Sequence, residues 1–321
     1  MKILILGCGS IGSRHAKNLR SLGITKLVLC DADESRLKSL GNEVGTKMLY
    51  SDYKKAVKEN PDILAAVICT PTAFHVQSAV FLAKKKINLF IEKPLSNSLS
   101  GTKLLSKIVS HNRLVTMMGH SYMFENGFIK LQSLLKQKII GKVYFASYLQ
   151  GQYLPDWHPK ADYRVEYSAR KELGGGALFT LTSHTFYVVE WLFGRINSIH
   201  GSILDTLGPL EVNVDDSVFL LVKTKNDIVV QTINNFIVGL HQHKIIVEGE
   251  KGRLEYDFVE KKVKIFLRGK NPKILDVDKG PNDRYVEEMR YFLNRIKHKQ
   301  KLDYNLDLES GMRFLEMVQR L

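Results

Sequence analysis

Through the first 120 residues, short apolar runs alternate with segments whose apolar positions recur at helical spacing. The strand-like runs are KILILG, KLVLCD, KMLY, LAAVICT, NLFIEKP and LVTMMGH. Between them, helical patterns cover Arg14 to Leu22, a short stretch from Glu34, Tyr53 to Glu59, Ala73 to Lys85 and Ser100 to His111. Strands that are apolar throughout and alternate with helices predict a parallel sheet covered on both faces. Residues 1–120 therefore read as a doubly wound α/β domain.

From about Gly141 the period changes to two. VYFASYLQ, SVFLLVKT, DIVVQTINNF, HKIIVEG, RLEYDF and KKVKIFL are separated by turn residues such as Gly249-Glu250-Lys251-Gly252. This predicts an α+β domain over residues 121–321 with a mostly antiparallel open sheet. A long stretch, Gln150 to Glu211, separates its first two strands. Beyond Asp283 an amphipathic helix carries Tyr285, Met289, Phe292 and Ile296 at helical spacing, and another helix starts near Leu308. These two either pack on a sheet face or return to the first domain. There is no internal repeat and no low-complexity linker.

Composition adds bounds. At 44% hydrophobic and 25% charged, the chain is ordinary globular protein. Its net charge of +14 comes from scattered lysines, as at Lys84 to Lys86, with no nucleic-acid motif beside them. A lysine-rich surface that attracts an anionic ligand is the expectation, with no nucleic-acid partner. Apolar runs such as Leu64 to Cys69 are too short to span a bilayer, and Met1 is followed by one lysine and a strand. A cytoplasmic protein without a membrane partner is expected. Cys8, Cys30 and Cys69 lack metal-type spacing and each ends an apolar run, so they read as buried free thiols, and no metal site is expected.

The first strand runs into Gly7-Cys8-Gly9-Ser10-Ile11-Gly12, which opens a helix. Such glycines let a pyrophosphate approach the amides at the helix N-terminus, the arrangement of a Rossmann dinucleotide site. Asp31 ends the second strand, where a carboxylate accepts from both ribose hydroxyls and repels a 2′-phosphate. NAD is favoured over NADP, with Arg36 in the next helix softening the choice. The crevice is expected to be lined by Thr70, Pro71 and His75 after the fourth strand, Glu92, Lys93 and Pro94 after the fifth, and Gly119, His120 and Ser121 after the sixth.

Two positions carry candidate chemistry. Lys93 stands at a strand end on the nicotinamide side, where partial desolvation lowers its pKa and lets it exchange protons; the alternative is a surface lysine paired with Glu92. In GGGALFTLTSH, Gly174 to His184, helical geometry puts Thr180, Ser183 and His184 on one face, and the glycines suit close approach of backbone to a ligand. No carboxylate lies between Gly174 and Thr185 to set the histidine's tautomer.

GCGSIG, CTPTAFH, IEKPLS, GGGALFTLTSH and EGEKGRLEYDF, in this order, resemble the Gfo/Idh/MocA oxidoreductases over essentially the whole chain. The resemblance implies a Rossmann domain, a C-terminal domain with an open sheet, and oxidation or reduction of a secondary alcohol or ketone on a sugar or cyclitol. By position it makes Lys93 catalytic or substrate-orienting, Glu92 a cofactor-site neighbour, and His184 the proton donor or acceptor. A cis Lys93–Pro94 bond would aim the lysine. One departure stands out: members commonly carry an aspartate four residues before the histidine, and here that residue is Thr180, counted with the catalytic set. Thr180 can hydrogen-bond but supplies no negative charge.

The insertion before this helix offers Tyr153, Trp157, His158, Tyr163, Arg164, Tyr167 and Arg170, aromatic and basic groups that suit a sugar, or that wrap the domain or an oligomer contact. Its GQYLPDWHP is similar to family members from bacterial surface-carbohydrate pathways, which points to a modified sugar or sugar nucleotide. An NAD-dependent sugar oxidoreductase leads the functional readings. A redox-neutral NAD-using epimerase or glycosidase and a non-catalytic dinucleotide sensor are the alternatives. A homo-oligomer joined through the C-terminal sheet is also expected.

Overall fold

Ile3, Leu4 and Ile5 of strand β1 (Lys2–Leu6) are completely buried, as a strand packed on both faces requires. In a computed structural model, which describes residues 1–321 other than Lys160, Lys279 and Tyr304, this strand lies inside a six-stranded sheet. Its other members are β2 (Lys26–Cys30), β3 (Leu49–Tyr50), β4 (Ile63–Ile68), β5 (Asn88–Glu92) and β6 (Thr116–Gly119). All pair in parallel, in the order β3-β2-β1-β4-β5-β6. Helices α1 (Ser10–Ser21), α2 (Glu34–Val44), α3 (Tyr53–Glu59), α4 (His75–Lys84) and α5 (Thr102–Asn112) connect the strands. Strand order reverses between β1 and β4, and in such sheets the ligand crevice opens at the carboxyl ends beside that reversal.

The chain divides into two compact units, Met1–His120 with Tyr285–Met317, and Ser121–Arg284 with Val318–Leu321. The second unit holds α6 (Asn126–Lys136), α7 (Ser183–Phe193) and the eight strands β7 (Val143–Gly151), β8 (Ile196–Asp205), β9 (Ser217–Thr224), β10 (Val229–Asn235), β11 (Gln242–Gly249), β12 (Gly252–Asp257), β13 (Lys262–Leu267) and β14 (Lys273–Asp276). They run β14-β13-β12-β11-β7-β10-β9-β8, with every neighbouring pair antiparallel except β7 and β10. One face buries Tyr148, Val218, Leu220, Val230, Ile245 and Tyr256; the opposite face leaves Phe145, Leu221 and Val229 exposed.

Strands β8 and β14 were not among the expected strands, and they are the two edges of the sheet. An edge strand needs only one neighbour and stays largely exposed, so little apolar alternation marks it. A second difference concerns Leu178–Thr182, which forms a π-helical turn running straight into α7 where plain α-helical spacing was expected. The last helices, α8 (Asp283–His298) and α9 (Leu308–Val318), belong mostly to the first unit. There Phe292 meets Phe90 edge to face at 5.6 Å, and Met117 bridges to Asp307 beside β6. No helix among the described residues is long and apolar enough to cross a membrane.

Candidate active site

The three glycines of the first turn are needed for three different reasons. Gly7 has φ +93°, and a Cβ there would meet the Cys69 carbonyl at 2.6 Å. A Cβ on Gly12 would overlap the Gly7 carbonyl oxygen, so the glycine lets helix and strand approach. Gly9 has room for a side chain: the nearest atom to a Cβ would be Arg36 Nη1 at 3.9 Å. Nothing among the described residues requires glycine at that position, whereas a pyrophosphate lying on the turn would.

The neighbouring groups fit the same ligand. Asp33 and Asp52 cap α2 and α3 with their side chains, but α1 has no side-chain cap and no acidic residue in its first turn, so its amides stay available to an anion. Ser10 and Ile11 open that turn, Ser10 exposed and Ile11 half-buried. Asp31 is held by two backbone amides, Cys8 N–H donating to Oδ2 at 2.6 Å and Asp33 N–H to Oδ1 at 2.9 Å. A carboxylate so anchored keeps lone pairs for ribose hydroxyls. Arg36 pairs with Asp33 at 3.3 Å on the rim of a cleft of about 290 Å³ that Cys8, Ser13 and Glu43 also line. Thr70 Oγ1 is a buried hydroxyl oxygen with no hydrogen-bond partner among the described residues, and it stands just past β4 beside Gly7.

His75 links two of these loops, its Nδ1 lying 2.9 Å from the Pro94 carbonyl and its Nε2 2.7 Å from the Thr70 carbonyl. Both nitrogens are thus engaged by backbone, and burial lowers the ring's pKa although the carbonyls favour its cation. His75 supports Thr70 and Pro71 from behind. The Lys93–Pro94 bond is cis.

Lys93 follows directly on β5. Its surroundings strip hydration from the ammonium and pull it down to about 8, against the opposing charge of Glu92. His75 and His120, both buried, feel the Lys93 charge. Glu92 is committed on both oxygens: Oε1 lies 2.6 Å from His15 Nε2, and Oε2 accepts the Lys93 backbone N–H at 3.2 Å. Gly119 makes room for this carboxylate, since a Cβ there would come within 3.1 Å of it. Glu288 of α8 is also completely buried and brings a carboxylate oxygen within 4.8 Å of the His15 and Glu92 groups. The helical spacing of the tail gave no hint of this carboxylate. Cys8, Cys30 and Cys69 are buried free thiols, and burial pushes Cys8 and Cys30 up to about 12.

In the second unit, Ser121 is buried at the start of a 3₁₀ turn, Ser121–Phe124. The glycines of GGGALFTLTSH are used by the protein itself, contrary to the expectation that they admit a ligand. A Cβ on Gly175 would strike the Tyr167 and Ser168 carbonyls, one on Gly176 the Asp215 carboxylate, and Gly174 has φ +83°. Asp215 reaches over from ahead of β9 to accept the Leu178 N–H at 2.7 Å, and burial raises its carboxyl to about 6. Thr180 is buried and donates its hydroxyl to the Gly176 carbonyl at 2.7 Å; Ser183 likewise donates to Phe179. Half-buried His184 stacks on Tyr122, with ring centroids 4.4 Å apart and planes 29° apart. Tyr122 was not among the expected site residues, although it follows Ser121 in the loop after the sixth strand.

The insertion's residues fall into four groups. Arg164 lies 2.9 Å from Asp162 and 3.3 Å from Glu211, and Tyr163 accepts the Glu211 N–H at 3.1 Å. Arg170 pairs with Glu172 on the surface at 2.5 Å. Trp157 packs edge-on against Phe236 at 5.3 Å, and its buried indole N–H has no hydrogen-bond partner among the described residues. Tyr153 precedes the 3₁₀ turn Leu154–Asp156 and is half-buried. Exposed ion pairs of this kind stabilise by about 0–1 kcal/mol, so a ligand can recruit either arginine at little cost.

Comparison with known proteins agrees with this fold. Residues 1–120 match the family described as an oxidoreductase family with an NAD-binding Rossmann fold, and residues 128–255 match the Gfo/Idh/MocA C-terminal domain. Myo-inositol 2-dehydrogenase of Thermotoga maritima is 26% identical over 309 residues, 92% of this chain and 88% of that protein. The 2,7-anhydro-N-acetylneuraminate hydratase of Escherichia coli is 23% identical over 259 residues, 80% of this chain and 67% of that protein. Among solved structures, levoglucosan dehydrogenase in complex with NADH and levoglucosan superposes with a TM-score of 0.88 over 99% of this chain and 95% of that one, at 16% identity. Two family domains in the right order, on this glycine turn and this pair of sheets, make the chain a member of the Gfo/Idh/MocA oxidoreductases.

Proposed function

We propose that this protein is an NAD-dependent dehydrogenase or reductase acting on a secondary alcohol or ketone of a sugar, sugar nucleotide or cyclitol. The observation that carries the assignment is Lys93: a lysine at the carboxyl end of β5 whose ammonium is drawn down to about 8. Near neutral pH it exists in both protonation states, as a group that takes a proton from a hydroxyl, or returns one to a carbonyl, must. NAD, when bound, supplies the hydride acceptor or donor. Gly7, Gly9, Ser10, Ile11, Gly12, Asp31, Thr70, Pro71, His75, Glu92 and Ser121 would hold or border it, and the anchored Asp31 carboxylate favours NAD over NADP.

Lys93 manages the proton, helped by His184, while buried Thr180 holds the helix that presents the histidine. Tyr153, Trp157, Tyr163, Arg164 and Arg170 are the proposed substrate contacts. Relatives named for inositol and levoglucosan support a polyhydroxylated ring as substrate. The exposed Phe145, Leu221 and Val229 on the outer face of the second sheet suit a second copy of the chain, and the cytoplasm is the proposed location.

Mass spectrometry of ligands retained by the purified protein, followed by NADH absorbance with the sugars so identified, tests the assignment. A Lys93→Ala protein that turns over its substrate at the wild-type rate would end it. The relative named as a hydratase supports a second reading, a redox-neutral reaction with NAD reduced and reoxidised in each cycle. That reading requires product without net NADH.

A further inference from the structure

We propose that Tyr122 is the positioning residue for His184, its ring taking the orienting role given elsewhere in the family to an aspartate on the histidine's own helix. The inference deepens the proposed function and rests on its reading of His184 as a proton-exchanging group.

The geometry begins with the stack. At 4.4 Å between centroids and 29° between planes, the phenol face fixes the tilt of the imidazole and leaves its in-plane nitrogens directed outward from the stack. An aromatic face also attracts the cation that forms when the imidazole takes a proton. A carboxylate achieves the same result by charge through one nitrogen.

Tyr122 is itself held on several sides. Gln150 donates its Nε2–H to the phenol oxygen at 3.2 Å. The Arg284 guanidinium lies 5.1 Å from the ring centroid, and its charge is matched by Glu125 at 3.2 Å. Phe128, His243 and Phe258 stand 5.1 to 5.7 Å from the ring. Of these neighbours, His243 is kept neutral by burial, and the charged groups beside the stack are Arg284, Glu125 and Lys261, which shares the Glu125 carboxylate at 3.2 Å and lies 3.5 Å from the Phe258 centroid. The polar layer continues below, where Thr185, next to His184 in α7, donates to Asn234 at 2.6 Å. A tyrosine braced in this way cannot turn aside without breaking contacts on four elements.

Three variants and two measurements test the proposal. In the wild type, the His184 ring protons carry an upfield ring-current shift, visible by NMR in the protein without substrate. Tyr122→Leu removes the ring and returns those resonances downfield; Tyr122→Phe keeps the ring and the shift. With the substrate found by mass spectrometry, or myo-inositol and levoglucosan as probes, kcat falls roughly tenfold or more in Tyr122→Leu with KM within about twofold, and Tyr122→Phe recovers most of it. Unmoved histidine resonances in Tyr122→Leu overturn the proposal, as does equal loss of kcat in the leucine and phenylalanine variants. His184→Asn separates the two readings. Wild-type turnover there, with the ring-current shift intact in the unmutated protein, overturns the catalytic assignment of His184 and the positioning role with it.

Discussion

Thr180 donates its hydroxyl to the Gly176 carbonyl at 2.7 Å, one turn back along its own helix. The residue that stands where an aspartate is usual in this family therefore ties down the start of the helix, at a carbonyl that a carboxylate would repel. Thr180→Val should cost about 1 kcal/mol of stability, and Thr180→Asp about 1–3 kcal/mol, since it sets an acceptor against an acceptor in a buried place. Urea denaturation checks both values; a Thr180→Asp protein as stable as wild type would contradict this role.

The glycine turn makes opposite predictions for neighbouring positions. Gly9→Ala should leave stability within about 0.5 kcal/mol, because the site has room for a methyl group, yet weaken NADH binding roughly tenfold or more. Gly12→Ala should lose roughly 1–3 kcal/mol or more, because its Cβ would overlap the Gly7 carbonyl. Thermal melts with fluorescence titration of NADH separate the two effects.

The role proposed for Lys93 predicts a pH profile. In the oxidative direction the neutral amine accepts the proton, so turnover should rise with pH and level off above about 8. Lys93→Arg stays charged throughout this range and should lose roughly 10²–10⁴-fold without unfolding. A Lys93→Arg enzyme that keeps an acidic limb near 8 would assign the titration to another group.

Asp215 gives a prediction about stability. Its carboxyl is raised from 3.8 to about 6 in the folded protein, so the native state binds this proton more tightly than the unfolded chain does. The stabilisation is present below 3.8 and lost as pH rises through about 6, a difference of roughly 3 kcal/mol at most. Asp215→Asn keeps an acceptor for the Leu178 amide and removes the ionisation, so it should gain on wild type between pH 5 and pH 8 in denaturant titrations. A constant difference across that range would refute the account.

Much of the fold could be read from the pattern alone, because a parallel sheet needs apolar runs and connecting helices in alternation, and an antiparallel sheet with one buried face needs apolar and polar positions in alternation. The edge strands β8 and β14 escaped because exposed edges demand little of their sequence. At the site, Gly7, Gly12, Asp31 and Lys93 announce themselves through local order: strand, turn, helix, strand end. Tyr122 and Asp215 do not, since their partners His184 and Leu178 are 62 and 37 residues away in sequence and no periodicity connects them. The triple glycine misled for a related reason. A glycine signals that something comes close, and only the folded chain shows that the close object is the Asp215 carboxylate.

The π-helical turn at Leu178–Thr182 gives the helix one residue more than regular winding would need. Its surplus works as a rotational offset. Winding the same residues as regular α-helix, without the wide turn, would add the rotation of that surplus residue and swing everything downstream by about 100° around the helix axis. His184 would then leave the face of Tyr122 although neither residue had been changed. Within this helix, the direction in which the histidine points is encoded by a length.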